Sequence, residues 1–484
     1  MDPVKYMTAE EIQAHQVEAT PGVNYDPRDY IKQRLASVKQ WSSKQQLGTR
    51  LSIGCVALEI TQRCNLDCTC CYLSEHSEAV KDLPLEEIFK RIDMIHQHYG
   101  EGTSVQVTGG DPTLRDFSDL QSIIARLASK GLRPTLFTNG IRATRPYLRR
   151  LAEAGLADVA FHVDLTQERR GYKTEVELNR IRQQCIENAR GLGIQVFFNF
   201  TVTENSFKEI SDIVRYYNKN ADVVKTFSFQ LQADTGRGID RERGPVISQD
   251  SVIAEINKGC GIDVNFDASQ VGHKNCNRHS MLLVSNGNVY NALDASDFVG
   301  RIIRAEEGDK YSKSSPTMSF FRWLKDHPQE ILRGIKYFVG QSWNAKSDLI
   351  KSRGKVFCQH VLVHNFMDAC HLEHERIKAC SFFVMTQKGP ISMCMMNAKR
   401  DDYILQPVEV RHEDETLYWQ PLSGKLSKNT GLSTDVDPRS HGLRHLKGRT
   451  RPVVYNEHKK EQEQRRTVSL NSPKKTEADV GANG

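Results

Sequence analysis

The 484-residue chain has no run approaching the roughly 18 consecutive apolar residues that would cross a bilayer, and its mean hydropathy is -0.53. An integral membrane protein is excluded on that reading. It also lacks an apolar segment at the start: MDPVKYMTAEEIQAHQ is polar and acidic, so no secretory leader is expected and the cytoplasm is the expected compartment. An excess of charge of one sign is lacking, since 66 Lys or Arg against 60 Asp or Glu leave a net of only +6. Most of it sits between Leu443 and Gly484, where ten Lys or Arg face five Asp or Glu and contribute +5. The body is nearly neutral, so nucleic acid is not expected as a partner. The basic end is too poor in apolar residues to offset ordering entropy and is expected to be disordered, though it offers peripheral contact with an anionic membrane. No internal repeat of about 20 to 50 residues is visible.

Cysteine, by contrast, is plentiful. Twelve cysteines in a chain expected to stay in a reducing compartment point to metal ligation or redox work, not to a disulfide framework. They stand at 55, 64, 68, 70, 71, 185, 260, 276, 358, 370, 380 and 394, one tight group and a looser one downstream.

From Leu51 onward, short apolar runs alternate with stretches of helical period, the pattern of βα units about a parallel sheet. Six strands are predicted: Val56–Ile60, Ser104–Thr108, Pro134–Thr138, Asp158–Val163, Ile194–Val202 and Thr226–Gln232. Between them, Leu85, Ile88, Ile92 and Ile95 recur on one helical face, as do Leu120, Ile123, Ile124 and Leu127 before the stop at Gly131. Right-handed crossovers curl such units into a partial (β/α)6 barrel with its chemistry at the strand C-terminal ends. The fold class is therefore α/β. Residues 1–50 form an N-terminal extension with one helix over Pro27–Lys44, and 51–245 the barrel. Residues 246–410 read as a second, α+β region, and 411–484 as a polar, largely disordered tail.

Directly after the first strand, EITQRCNLDCTCCYL sets Cys64, Cys68 and Cys71 in a C-x3-C-x2-C arrangement. Three soft thiolates in one loop can hold an iron–sulfur cluster but supply one ligand fewer than four irons require, leaving one iron for a small molecule. Zinc would ask for a fourth protein ligand in a closed site. Cys70, Cys55 and Cys185 are assigned to packing, and Cys260 has no assignment.

This loop resembles that of the radical S-adenosylmethionine (SAM) superfamily, in which it binds a [4Fe-4S] cluster and SAM chelates the open iron. TGGDP after the second strand is similar to the family's GGEP segment, with Asp for Glu, so Gly109, Gly110, Asp111 and Pro112 are implied SAM contacts. The strand ends carrying Asn139, Asp164 and Asn199, with Thr201, Gln230 and Gln232, resemble superfamily strand ends. Each of these polar residues serves either a core hydrogen bond or a SAM or substrate contact. Many family members place an aromatic residue before the third cysteine, where this chain has Cys70.

Downstream, Cys380 and Cys394 flank a glycine-containing turn at Gly389, which resembles the opening of SPASM and twitch domains that present thiolates to an auxiliary [4Fe-4S] cluster. Cys276 opens an echo of the same spacing about Gly287. The resemblance implies Cys276, Cys380 and Cys394 as auxiliary ligands and Cys358 as a fourth. Mixed Cys/His zinc ligation using His360, His364, His371 and His374 is the alternative. Over Leu51 to Ala398 the chain looks most like tetraether lipid synthase-like enzymes. That likeness implies a radical enzyme that takes hydrogen from an unactivated carbon of a lipid or isoprenoid chain, with a flavodoxin or ferredoxin as electron donor. Modification of a ribosomal peptide, and a non-catalytic metal or electron-transfer role, are the other readings.

Overall fold

The computed structural model of the chain describes residues 4–293 except 20, 23, 24, 49 and 50; Phe298; 321–432 except 322, 413 and 414; and the backbone of 443–446 and 449–452. The disorder expected of the basic end falls on residues almost wholly outside that description.

Six parallel strands follow one another in chain order: β1 (Cys55–Thr61), β2 (Ser104–Gly109), β3 (Arg133–Thr138), β4 (Asp158–His162), β5 (Gln195–Val202) and β6 (Val224–Leu231). Period two decides their packing. Val105 and Val107 of β2 are fully buried beneath the helices, whereas Ser104, Gln106 and Thr108 between them line the interior. The crossovers are α3 (Leu85–Tyr99), α4 (Phe117–Ser129), α5 (Arg145–Glu153), α6 (Asn179–Ala189) and, after the single turn α7 (Glu204–Phe207), α8 (Ile210–Lys219). Ile88, Ile92 and Ile95 of α3 and Leu120, Ile123, Ile124 and Leu127 of α4 are buried in one apolar core with the outward faces of the strands.

Before the barrel stand α1 (Ala9–Ala14) and α2 (Pro27–Ser37). The second is shorter than the expected Pro27–Lys44, because β-branched Val38 caps it and Lys39 turns left-handed at φ 57°.

The strands expected of residues 246–410 are present, but they widen the barrel sheet from both sides. After α9 (Gln249–Cys260) come β7 (Asn277–Ser285), β8 (Asn288–Asn291), β9 (Phe357–Asn365), β10 (Phe382–Thr386) and β11 (Gly389–Ser392). The sheet of eleven strands runs β11-β10-β1-β2-β3-β4-β5-β6-β9-β7-β8. Its two flanks meet through side chains: Asn277 donates to Ser381 Oγ at 3.0 Å, and the His364 and Phe382 rings are 5.0 Å apart. Residues 408–427, partly assigned by composition to the tail, form a small antiparallel sheet of β12 (Val408–His412), β13 (Glu415–Trp419) and β14 (Leu426–Ser427). Trp419 is buried and Leu422 packs on Ala79 and Val80, which supplies the apolar burial that segment needs to order. Among the described residues no helix is long and apolar enough to cross a membrane.

Candidate functional site

The chain leaves β1 at the C-terminal rim of the barrel and enters the loop that carries Cys64, Cys68 and Cys71. Backbone holds this loop from two sides. On one, Gly110 N–H donates to the Thr61 carbonyl at 2.9 Å and Asp111 N–H to that of Arg63 at 2.8 Å. The approach is so close that a Cβ on Gly109 or Gly110 would stand 1.9 Å from a carbonyl oxygen, and Gly109 has φ 118°. On the other side, residues 237–239 run against the loop, with Arg237 N–H on the Leu73 carbonyl at 2.8 Å, Gly238 N–H on Cys71 at 3.1 Å and Ile239 N–H on Thr69 at 2.7 Å. A Cβ at Gly236 would meet the Tyr72 backbone at 2.4 Å.

Burial raises the Cys64 thiol to about 12 and pushes the Cys68 thiol well above its ordinary value, the latter with Cys71 and Cys64 adding to the effect. Arg237 answers this. Burial works against its charge, but a bond to the Cys71 side chain and an ion pair with Glu78 at 3.1 Å leave it firmly charged. A guanidinium there favours thiolates, the form that ligates metal. Sequence reasoning missed Arg237; the Gly-Arg-Gly run at 236–238 is the only local trace of it.

The other expected rim residues tie strand ends together. Asp111 accepts from Thr113 N–H at 3.0 Å, Thr138 Oγ1 at 2.9 Å and Asn139 N–H at 2.9 Å, joining β2 to β3, and Pro112 opens the turn that follows. Asn139 reaches Asn65 of the cysteine loop at 2.6 Å. Asp164 is fully buried and binds His162 at 2.6 Å and Thr201 N–H at 2.8 Å. Burial alone would raise its pKa, but His162 outweighs that and holds it at about 2. Asn199 accepts from Ser228 at 2.5 Å. Tyr72 donates its hydroxyl to the Gly109 carbonyl at 2.6 Å, and Cys70 turns toward the interior.

The barrel encloses a cavity of about 630 Å³, from Tyr72 and Gln232 at the rim to Arg133 and Asp158 at the opposite end. Gln106, Thr108, His162, Thr201 and Gln230 contribute polar groups to its lining, and Phe137, Phe197 and Phe382 apolar ones.

Of the distal cysteines, Cys276, Cys380 and Cys394 come together where the sheet flanks meet. Burial pushes Cys380 to about 11 and Cys394 to about 12, each further raised by others of the three, while Arg376 Nε bonds Cys276 Sγ at 3.1 Å. Cys358 is not brought to them. It lies near the start of β9, paired with Leu283, roughly 20 Å of strand from Asn365, which bonds the Cys276 carbonyl at 2.8 Å. The histidines do not converge either: His360 and His364 face the cavity, His371 contacts Cys370 at 3.2 Å and His374 contacts Glu11 at 3.0 Å. Among the described residues no three His, Cys, Asp or Glu side chains are placed to hold a single ion. A polynuclear cluster does not require its ligands to meet at one point, so three neighbouring thiols with a cationic partner fit that group.

Residues 58–217 match the family model of the radical SAM superfamily. The chain is 32% identical over 190 residues to 7,8-dihydro-6-hydroxymethylpterin dimethyltransferase of Methanocaldococcus jannaschii, covering 37% of this chain and 36% of that one. It is 28% identical over 183 residues to PqqA peptide cyclase of Bradyrhizobium diazoefficiens, covering 37% and 46%. The chain thus spans less than half the length of these curated relatives. Among solved structures, Streptococcus suis SuiB bound to S-adenosylmethionine aligns with TM-score 0.31 at 17% identity, covering 39% of this chain and 44% of that one.

Proposed function

We propose that this chain, whose residues 58–217 match the family model of the radical SAM superfamily, is an enzyme of that kind that cleaves S-adenosylmethionine reductively and takes a hydrogen atom from a carbon held in the barrel cavity. The observation that carries the reading is the cysteine loop clamped between Gly109–Gly110 and residues 236–239 at the rim of that cavity. Cys64, Cys68 and Cys71 would hold a [4Fe-4S] cluster, which when bound supplies the electron that breaks the sulfonium bond of SAM, the electron arriving from a flavodoxin or ferredoxin. The protein's own part is positional. Arg237 favours the thiolate form of Cys64 and Cys68 against the burial that opposes it, Gly109 and Gly110 let the end of β2 close onto the cysteine loop, and Asp111, Asn139 and Asp164 hold the strand ends that frame the site. Packed strands around the lumen limit the access of water and stray hydrogen donors to the reacting carbon.

The polar lining residues Gln106, Thr108, His162, Thr201 and Gln230 favour a substrate with hydrogen-bonding groups beside that carbon, such as a peptide, and the relative named as a peptide cyclase supports this. A lipid or isoprenoid chain joined through carbon–carbon bond formation is the second reading, favoured by Phe137, Phe197 and Phe382. The distal set, Cys276 before β7 with Cys380 and Cys394 about the SPASM-like β10–β11 hairpin, would hold an auxiliary cluster.

The test is iron and sulfide content after anaerobic reconstitution, followed by 5′-deoxyadenosine formation from SAM under dithionite. Release that Cys64→Ala, Cys68→Ala or Cys71→Ala each abolishes, and Cys70→Ala leaves, is the expected result. Zinc in place of iron, or no release from the wild type, would sink the reading. Isotope transfer from deuterated peptides or deuterated isoprenoid lipids into 5′-deoxyadenosine then separates the two substrate classes.

A further inference from the structure

Far from the rim, α10 (Gln329–Asn344) and α11 (Lys346–Lys351) lie against the free β8 edge of the sheet. Tyr337 donates to the Ala292 carbonyl at 2.5 Å and Gln341 to that of Asn291 at 3.2 Å, while Gly334 sits against the Phe298 ring. Asp348 of α11 accepts from Asn286, Asn288 and Tyr290 of the β7–β8 hairpin at 2.5 to 3.0 Å. One face of this helix pair is therefore fixed to the sheet. The helical period then turns Leu332, Ile335, Phe338, Val339 and Trp343 outward as a single stripe. Each is more than half exposed, Leu332 at 76% and Trp343 at 69%, and Ile350 of α11 extends the ridge at 79%.

Isolated apolar side chains on a surface need no explanation; a contiguous ridge of this size marks an interaction site. Its margin is cationic. Residues 325–355 hold seven Lys or Arg against three Asp or Glu. Two of those three carboxylates are turned away, Glu330 buried and paired with Arg333, Asp348 buried on the hairpin, whereas Lys336, Lys346 and Lys351 are exposed. A tryptophan, large aliphatic groups and flanking lysines on an in-plane helix match an anionic bilayer surface, where the apolar stripe enters the acyl boundary and the ammonium groups stay among the head groups.

We infer that α10 docks the protein in the plane of an anionic lipid surface. The inference goes beyond the proposed reaction and holds for either substrate class.

Flotation of the full chain with vesicles of phosphatidylcholine and phosphatidylglycerol in equal parts tests it. The variant Leu332→Ser/Val339→Ser/Trp343→Ser removes three side chains of the outward stripe that are each at least 60% exposed and leaves Phe338 on the Phe298 ring. Wild type should float with these vesicles, and the variant should partition at least about tenfold less while keeping the wild-type melting temperature. A second variant, Lys336→Glu/Lys346→Glu, should lose anionic vesicles yet keep whatever weaker binding pure phosphatidylcholine gives. Undiminished flotation of the apolar variant overturns the inference and assigns membrane contact to the basic segment beyond Leu443. Absence of flotation, with a wild-type dimer that the variant dissolves, also overturns it and makes the ridge a contact between two copies of this chain.

Discussion

A guanidinium buried beside three thiols gives up hydration, and Arg237 recovers that loss through Cys71, Glu78 and Cys64. The same charge favours whichever cluster state carries the extra electron. Arg237→Gln is therefore expected to lower the midpoint potential of the rim cluster by on the order of 60 mV, tenfold in the one-electron equilibrium, and Arg237→Lys to restore part of it. An electron paramagnetic resonance titration reads this independently of turnover; an unmoved potential with reduced iron content would make Arg237 purely a structural clamp. His279 gives a second residue-scale expectation. Burial holds its pKa down at about 3, with His360 and His364 adding to the effect. The unfolded histidine, near 6.5, binds more protons across the interval, so stability is full above about 6.5 and falls as the pH drops below it. Urea unfolding should weaken by about 2 kcal/mol between pH 7.5 and 5 on account of this group alone, and His279→Gln should flatten the profile by that amount. The three rim cysteines were legible because their spacing lies within eight residues of sequence; Arg237 was not, because its role exists only once the fold returns it to Cys71.

The same distinction governs the elements. Strands β1 to β6 and the helices between them declare themselves through local periods of two and 3.6, and their order follows the chain. What β10 does beside β1, Cys55 paired with Phe382, depends on a partner more than 300 residues away and leaves no local mark. The second region therefore read as a separate unit although its strands widen one sheet. The end of α2 and the order of β12 and β13 were misjudged for a related reason: single side chains, Lys39 and Trp419, outweigh the average composition of their segments. The loop of residues 236–239 supplies the element-scale prediction. Gly236 has φ 57° and no room for a Cβ beside Tyr72, so Gly236→Ala must displace the strip that clamps the cysteine loop. Reconstituted iron at the rim site should fall severalfold while the far-ultraviolet circular dichroism of the barrel is retained. Iron content equal to wild type would show that the cysteine loop holds its shape without that clamp.

At the scale of the whole molecule, the sheet is a barrel whose flanks are joined by side chains and not by a ladder. Asn277 with Ser381, and His364 with Phe382, span that junction, and Cys276, Cys380 and Cys394 gather at it, one cysteine from the β9–β7 side and two from the β10–β11 hairpin. A metal group shared by those thiols would cross-link the flanks, contributing to stability as well as to electron transfer, because ligands drawn from distant segments lose more chain entropy in the unfolded state than local ones. Cys380→Ala/Cys394→Ala should then have two effects that separate this site from the rim. Iron per chain should fall by about four of about eight, the rim cluster keeping its spectrum and its SAM-dependent shift. The thermal midpoint of the reconstituted protein should fall toward that of the metal-free wild type, whereas Cys358→Ala, at the far end of β9, should change neither. If the double variant keeps its full iron, the three thiols are ordinary packing at a side-chain junction, and contacts such as Asn277 with Ser381 and His364 with Phe382 hold the flanks without a shared metal group.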